Sequence, residues 1–176
     1  MDKIKESDLH VLIKADELQA SIKDLGNLLN NTYGNDELCI ICVLKGAVMF
    51  ATDLVKHLKM PLKMEFIRLS SYGSSRTSSG RVNAVDISLP DLNDKNVLIV
   101  EDIIDTGHTA KFLIDFINQN FHTRSLKFCS LLDKKIKRAV DIDADFYCFE
   151  VDDKFLVGYG LDYDGYYRNI PYIGYV

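Results

Sequence analysis

The chain has 176 residues, 47% hydrophobic and 27% charged, with a net charge of −5, the profile of one globular domain over residues 1–176. An acidic balance without a sustained basic run argues against nucleic acid as the main partner, since phosphate neutralisation dominates that affinity. No apolar run approaches membrane-spanning length and the start, Met1 to Glu6, lacks an apolar signal core, so no membrane partner is expected.

In chain order, residues 14–31 carry helical spacing (Leu18, Ile22, Leu25, Leu28, Leu29) that ends at Asn30-Asn31 before Gly34. Leu38 to Leu44 reads as a continuous apolar strand, Lys45-Gly46 breaks it, and Ala47 to Leu58 reads as a helix stopped before Pro61. Leu62 to Leu69 alternates like a strand. Residues 70–80 are Ser- and Gly-rich, too polar to build a core, and are expected to form a long loop. Val82 to Leu89 returns as a strand closed by Pro90. Val97 to Val100 is a strand of branched residues expected to be buried on both faces, followed by a helix with Ala110, Phe112, Leu113, Ile114, Phe116 and Ile117 at packing positions. Ser125 to Leu132 is another strand, then the basic cluster Lys134 to Arg138, short strands at Phe146–Val151 and Phe155–Gly158, and an aromatic tail. Alternating strands and helices predict an α/β protein with an open, mostly parallel sheet flanked by helices.

The four cysteines lie in apolar runs. Cys39 and Cys42 have the spacing of a redox or zinc pair, but they fall inside a buried strand and lack a second pair. Reduced core thiols imply a cytoplasmic location. His10, His57 and His122 are scattered and carry no nucleophilic pattern. Neither a Walker phosphate loop nor a dinucleotide-type glycine fingerprint is present.

Chemistry concentrates in residues 97–109. An apolar strand meets two adjacent carboxylates, Glu101 and Asp102; a third, Asp105, opens the small-residue turn Thr106-Gly107-His108-Thr109 before the helix. Amides at a helix N-terminus suit a phosphate, and neighbouring carboxylates suit ribose hydroxyls. A phosphoacceptor receiver domain also ends a strand in an acidic pair, but near its chain start, whereas about a hundred residues come first here.

This run resembles the phosphoribosyl-pyrophosphate (PRPP) signature of the type I phosphoribosyltransferases, especially the purine-salvage branch, the hypoxanthine-guanine phosphoribosyltransferases. The resemblance extends over nearly the whole chain from about residue 10 and implies a small hood made from the two chain ends. It implies that Glu101, Asp102, Asp105, Thr106, Gly107, His108 and Thr109 bind the ribose phosphate, His108 through its backbone, with Asp105 the general base at purine nitrogen 7. Lys45 and Gly46, with a cis peptide before the lysine, and Arg168 are implied to bind pyrophosphate. Ser71 and Tyr72 mark a lid over PRPP. Lys134 would donate to the purine 6-oxygen, Phe155 stack on the ring, the Leu156 backbone read its edge, and Asp162 lie near the exocyclic amine or a second metal ion. Mg²⁺ is the implied cofactor, held through Glu101, Asp102 and Asp162. The implied substrates are PRPP with hypoxanthine or guanine, the implied products IMP or GMP and pyrophosphate, and the implied assembly a homo-oligomer, dimer or tetramer. A regulatory nucleotide-sensing or RNA-binding protein that keeps the same fold is the alternative; the retained Asp105 and the acidic balance favour the enzyme.

Overall fold

The computed structural model describes residues 8–71, 82–86 and 88–175. After β1 (His10–Ile13) come α1 (Ala15–Tyr33), β2 (Leu38–Leu44), α2 (Val48–Val55), β3 (Leu62–Ser71) and β4 (Val82–Asp86). The second half holds β5 (Asn96–Ile104), α3 (His108–Asn120), β6 (Ser125–Asp133), β7 (Phe146–Glu150), β8 (Leu156–Val157) and β9 (Ile173–Tyr175).

A six-stranded sheet runs in the order β4-β3-β2-β5-β6-β7, parallel throughout except where β4 returns antiparallel along β3. Its period of two sorts side chains onto two faces. Leu38, Ile40 and Cys42 of β2, with Leu98 and Val100 of β5, pack on Leu18, Ile22 and Leu29 of α1 and Phe50 and Leu54 of α2. The alternate residues Cys39, Ile41, Val43, Val97 and Ile99 pack on Ala110, Leu113 and Ile117 of α3. Covering both faces is what allows Leu38–Leu44 of β2 and Val97–Val100 of β5 to be apolar without interruption. Each such buried side chain contributes about 1.5–3 kcal/mol through burial, and Ile99→Ala should cost about 2–5 kcal/mol by leaving a cavity.

Helix α1 starts where the Glu17 carboxylate accepts the Lys14 amide at 2.8 Å, with Asp16 and Glu17 favouring the positive end of the helix dipole. It ends as the Gly34 amide donates to the Asn30 carbonyl at 2.9 Å.

Beside the main sheet stands a three-stranded antiparallel sheet, β1-β9-β8, which joins the two ends of the described chain into the expected hood. Apolar spacing marked neither β1 nor β9, because three or four residues carry too little periodicity to read. Other differences are at boundaries. Strand β3 runs through Ser70 and Ser71, which were expected in the polar loop, because β4 pairs with them. Helix α2 ends at Val55, short of Leu58, and β5 continues through Glu101 and Asp102 to Ile104 because β6 pairs along it that far. The acids therefore belong to a strand end rather than to a loop. His108 was read as a loop group and is instead the first residue of α3. The expected lid residue Tyr72, and the loop beyond it to residue 80, lie outside the described residues. Among the described residues no helix is long and apolar enough to cross a membrane.

Candidate active site

The chain leaves β2 through α2 to reach β3 on one side, and leaves β5 through α3 to reach β6 on the other. Strands β2 and β5 are therefore the point where the winding reverses, and the crevice beyond their carboxyl ends is where open α/β sheets bind ligands. The two strands pair only as far as Cys42 with Val100. Beyond that pair they carry Leu44-Lys45-Gly46 on one lip and Glu101-Asp102 on the other.

The Leu44–Lys45 peptide is cis, as the resemblance implied, and Lys45 is exposed. Gly46 is required by close approach: a Cβ there would lie 1.7 Å from Oδ2 of Asp102. Gly107 is required twice over, since its φ is +84° and a Cβ would meet Ile142 at 2.7 Å and Val140 at 2.9 Å.

Three adjoining hollows open along this edge. One of about 140 Å³ is lined by Val43, Leu44, Gly46, Leu69, Glu101, Asp102 and Thr109. A second, about 80 Å³, is lined by Glu101, Ile103, Ile104, Asp105, Thr106, Gly107, Thr109 and Ala110. The third, about 280 Å³, lies between Asp102, Ile103, Asp105, Lys134, Lys154, Phe155, Leu156, Leu161 and Asp162. The carboxylates stand at the junctions: Glu101 borders the first and second, Asp105 the second and third, Asp102 the first and third.

Burial raises Glu101 well above the usual carboxylate range, and neighbouring Asp102 adds to the shift. Burial likewise pushes Asp102 up to about 6; its own amide, the Ile103 amide and Arg168 pull it down, while Asp162 pushes it up. Oδ1 of Asp105 is buried without a hydrogen-bond partner.

Lys134 is 6% exposed. Its Nζ donates to the Lys154 carbonyl at 2.9 Å, sits 3.5 Å from Asp153 and 4.0 Å from Oδ2 of Asp105, and so is a held donor rather than a solvated charge. Phe155 is 53% exposed beside the third hollow and meets Tyr163 edge-on, centroids 5.5 Å apart at 89°. A bare aromatic face braced at its edge is a platform for a flat ring. Arg168 is committed within the hood, 2.5 Å from Asp162 and 2.5 Å from the Gly160 carbonyl. Asp162 also accepts the Gly165 amide at 2.7 Å.

Two oxygen-donor acids, Glu101 and Asp102, border the same hollow, and among the described residues neither has an ion-pair partner. That donor chemistry fits Mg²⁺, which takes one or two carboxylates and fills its shell with water and phosphate oxygens. Glu101, Asp102 and Asp162 do not converge on one point: no set of three or more such side chains gathered to hold a metal is found among the described residues. The cysteines are free, and Cys42 is pushed up to about 12 by burial, with Asp102 adding to it, so its thiol is inert.

The sequence reading missed Lys154, whose carbonyl holds Lys134, along with Ile103 and Leu161, which wall the third hollow. It also gave no role to Arg138, whose Nη1 donates to the Asp105 carbonyl at 3.0 Å. Membership of the basic cluster was its only visible signal.

Residues 14–164 match the phosphoribosyl transferase domain family. The chain is 45% identical over 164 residues to the hypoxanthine-guanine phosphoribosyltransferase of Bacillus subtilis (strain 168), covering 93% of this chain and 91% of that protein. It is 44% identical to the bifunctional protein TilS/HprT of Listeria monocytogenes serotype 4b, spanning 93% of this chain but 25% of that longer protein. A crystal structure of a hypoxanthine phosphoribosyltransferase from Staphylococcus aureus superposes with a TM-score of 0.92 at 37% identity, covering 100% of this chain and 96% of that one. The Bacillus subtilis and Staphylococcus aureus relatives are named as phosphoribosyltransferases, and the regulatory alternative finds no support. Sheet order, acidic strand end and sequence likeness agree over nearly the whole length, and the chain belongs to the phosphoribosyltransferase family, in its hypoxanthine-guanine branch.

Proposed function

We propose that this chain is a purine-salvage enzyme that transfers the 5-phosphoribosyl group from PRPP to hypoxanthine or guanine, giving IMP or GMP and pyrophosphate. The observation that carries the reading is the set of three contiguous hollows with a carboxylate at every junction. The hollow walled by Lys134 and Phe155 takes the base, the one over Asp105–Thr109 the ribose 5-phosphate, and the one beside Lys45-Gly46 the pyrophosphate.

In this reading Lys134 donates to the 6-oxygen, Phe155 stacks on the ring, and the Leu156 backbone reads the purine edge. Asp105, with a buried oxygen lacking a partner, accepts the proton from ring nitrogen 7. Glu101 and Asp102 hold the ribose hydroxyls while the bond at the anomeric carbon lengthens toward an oxocarbenium-like centre. Amides and hydroxyls from Thr106 to Thr109, including the His108 amide, hold the 5′-phosphate. Lys45 and Gly46 receive the departing pyrophosphate. Arg168 joins them by exchanging its contacts with Asp162 for phosphate oxygens, which frees Asp162 for a purine 2-amino group. Mg²⁺ held through Glu101, Asp102 or Asp162 would neutralise charge on the leaving group. The lid role of Ser71 and Tyr72 rests on the composition of residues 70–80. The reading also has the chain working as one catalytic domain in the cytoplasm, as a homodimer or homotetramer.

The test is consumption of hypoxanthine and guanine with PRPP and Mg²⁺, followed as nucleotide formed and pyrophosphate released. Both should require PRPP; no PRPP-dependent loss of either base would overturn the assignment.

A further inference from the structure

The segment from Lys134 to Ala139 lies along the back of the Asp105 turn and takes hold of three consecutive carbonyls. The Lys134 amide donates to the Ile104 carbonyl at 2.9 Å, Nη1 of Arg138 to the Asp105 carbonyl at 3.0 Å, and the Ala139 amide to the Thr106 carbonyl at 2.9 Å. In a planar trans peptide the N–H points opposite to the C=O. With the carbonyls of Asp105 and Thr106 held from behind, the amides of Thr106 and Gly107 face forward, toward the hollow that both residues line. Among the described residues neither amide donates a hydrogen bond.

Arg138 is itself fixed. Its Nη2 is paired with Asp133, which is 1% exposed, and its Cδ lies where a Cβ on Gly107 would come within 3.1 Å. The pair is poorly suited to stability alone, since Nε of Arg138 and Oδ2 of Asp133 are buried without partners. Buried pairs of this kind are often replaceable by apolar residues at no loss of stability.

We propose that Arg138, neutralised by Asp133, is a positioning residue for the 5′-phosphate: it holds the carbonyl side of the Asp105–Gly107 turn so that two backbone amides are aimed at the phosphate before substrate arrives. The guanidinium does not touch the phosphate; it acts through the peptide it orients. The inference rests on the proposed function, because it takes the hollow over Thr106 and Gly107 as the phosphate site.

The test compares affinity for IMP with affinity for inosine, which lacks only the phosphate, in the full chain. Removing Arg138 alone would strand a buried Asp133 carboxylate, so the variants are Asp133→Leu with Arg138→Met, and separately Arg138→Lys. The double variant should melt within a few degrees of the parent and bind inosine equally. It should lose about ten- to a hundredfold in IMP affinity, the scale of a hydrogen bond or two to a charged group. Arg138→Lys, which keeps the charge but loses the fork, should lose part of that factor. An unchanged IMP-to-inosine ratio in either folded variant overturns the inference, as does an equal loss for both ligands, which would mark general damage. A parent protein that binds IMP no better than inosine overturns instead the phosphate site itself, so the two failures are distinguishable.

Discussion

The six-stranded sheet and the three-stranded hood both line the candidate site, and they hold their shapes by different means. In the sheet, β2 and β5 are buried on both faces, and their course follows from apolar side chains meeting three helices. Among the described residues the hood's separate apolar cluster buries only Leu9, Val157 and Ile170, while its Ile13, Leu156, Leu161 and Ile173 join the core that the sheet shares with α1 and α2. Its backbone turns instead through left-handed positions at Tyr159, Asp164 and Tyr167 as well as at Gly158, Gly160 and Gly165. It is held to the sheet by those shared apolar residues and by particular contacts. The Tyr159 hydroxyl donates to Asp53 of α2 at 2.6 Å, and Gly160 lies so close to Gly46 that a Cβ would come within 2.1 Å of its carbonyl oxygen. In the proposed reading ribose and phosphate groups are therefore assigned to the sheet edge. Base selection is assigned largely to β8 and the turns after it, together with Lys134 at the end of β6.

The largest effect that would sharpen this division is base selectivity. In the proposed reading Lys134 faces a 6-oxo group as a donor; adenine would set a 6-amino donor against it and leave one N–H of the buried ammonium without the acceptor that the 6-oxygen supplies. Catalytic efficiency on adenine should fall about 10⁴–10⁵-fold below that on hypoxanthine. Hypoxanthine and guanine should differ by only about one hydrogen bond, near 1 kcal/mol. Efficient use of adenine by the parent, or unchanged discrimination in Lys134→Met, would break the assignment of that hollow to a 6-oxopurine.

Next in size is the junction between the two regions. Asp105→Asn should lower turnover by about 10²–10⁴-fold while PRPP binding stays close to that of the parent, because only proton acceptance is lost. Steady-state turnover with a separate binding measurement reads this, and near-normal turnover would remove Asp105 as the base.

The sheet edge itself has a pH signature. Asp102 is raised in the fold to about 6, so between about pH 4 and 6 the folded chain holds a proton that the unfolded chain has released. Its contribution to stability therefore falls as pH rises through that window. Relative to Asp102→Asn, the ligand-free parent should lose up to about 3 kcal/mol between pH 4 and pH 7. Denaturant unfolding of both proteins across pH measures it. A parallel pH dependence would mean that Asp102 ionises without strain.

Where sheet and hood touch, Gly46→Ala would drive a methyl into the Asp102 carboxylate and displace the turn or the acid. It should cost about 1–3 kcal/mol in stability and raise the KM for PRPP more than that for the base. Equal KM changes would show the hollows to be mechanically joined rather than separate. Smallest is Tyr159→Phe, which removes the hydroxyl that docks the hood on Asp53. A loss of about 1 kcal/mol by thermal melting is expected, with a shift in the KM for the base larger than in that for PRPP.

Much of the sheet was legible because its signal is local. Uninterrupted apolar runs at Leu38–Leu44 and Val97–Val100 state burial on both faces wherever they occur, and helical spacing after Gly107 puts a helix N-terminus beside Asp105. The hood strands were not legible: β1 and β9 have four and three residues, and they exist because the chain ends meet. Phe155 and Lys134 had plausible roles from resemblance, yet nothing in their neighbours distinguishes an exposed ring or a buried ammonium from the reverse.

The sequence by itself determined the alternation of strands and helices, the acidic end of β5 and the small-residue turn that follows, since each is set by residues next to one another. Only the tertiary structure decided which carboxylate borders which hollow, that Lys134 is held by the Lys154 carbonyl, and that Arg138 grips the Asp105 carbonyl from behind. Those pairs are 20 and 33 residues apart in the chain, and side chains that far apart meet only through the packing of the elements between them.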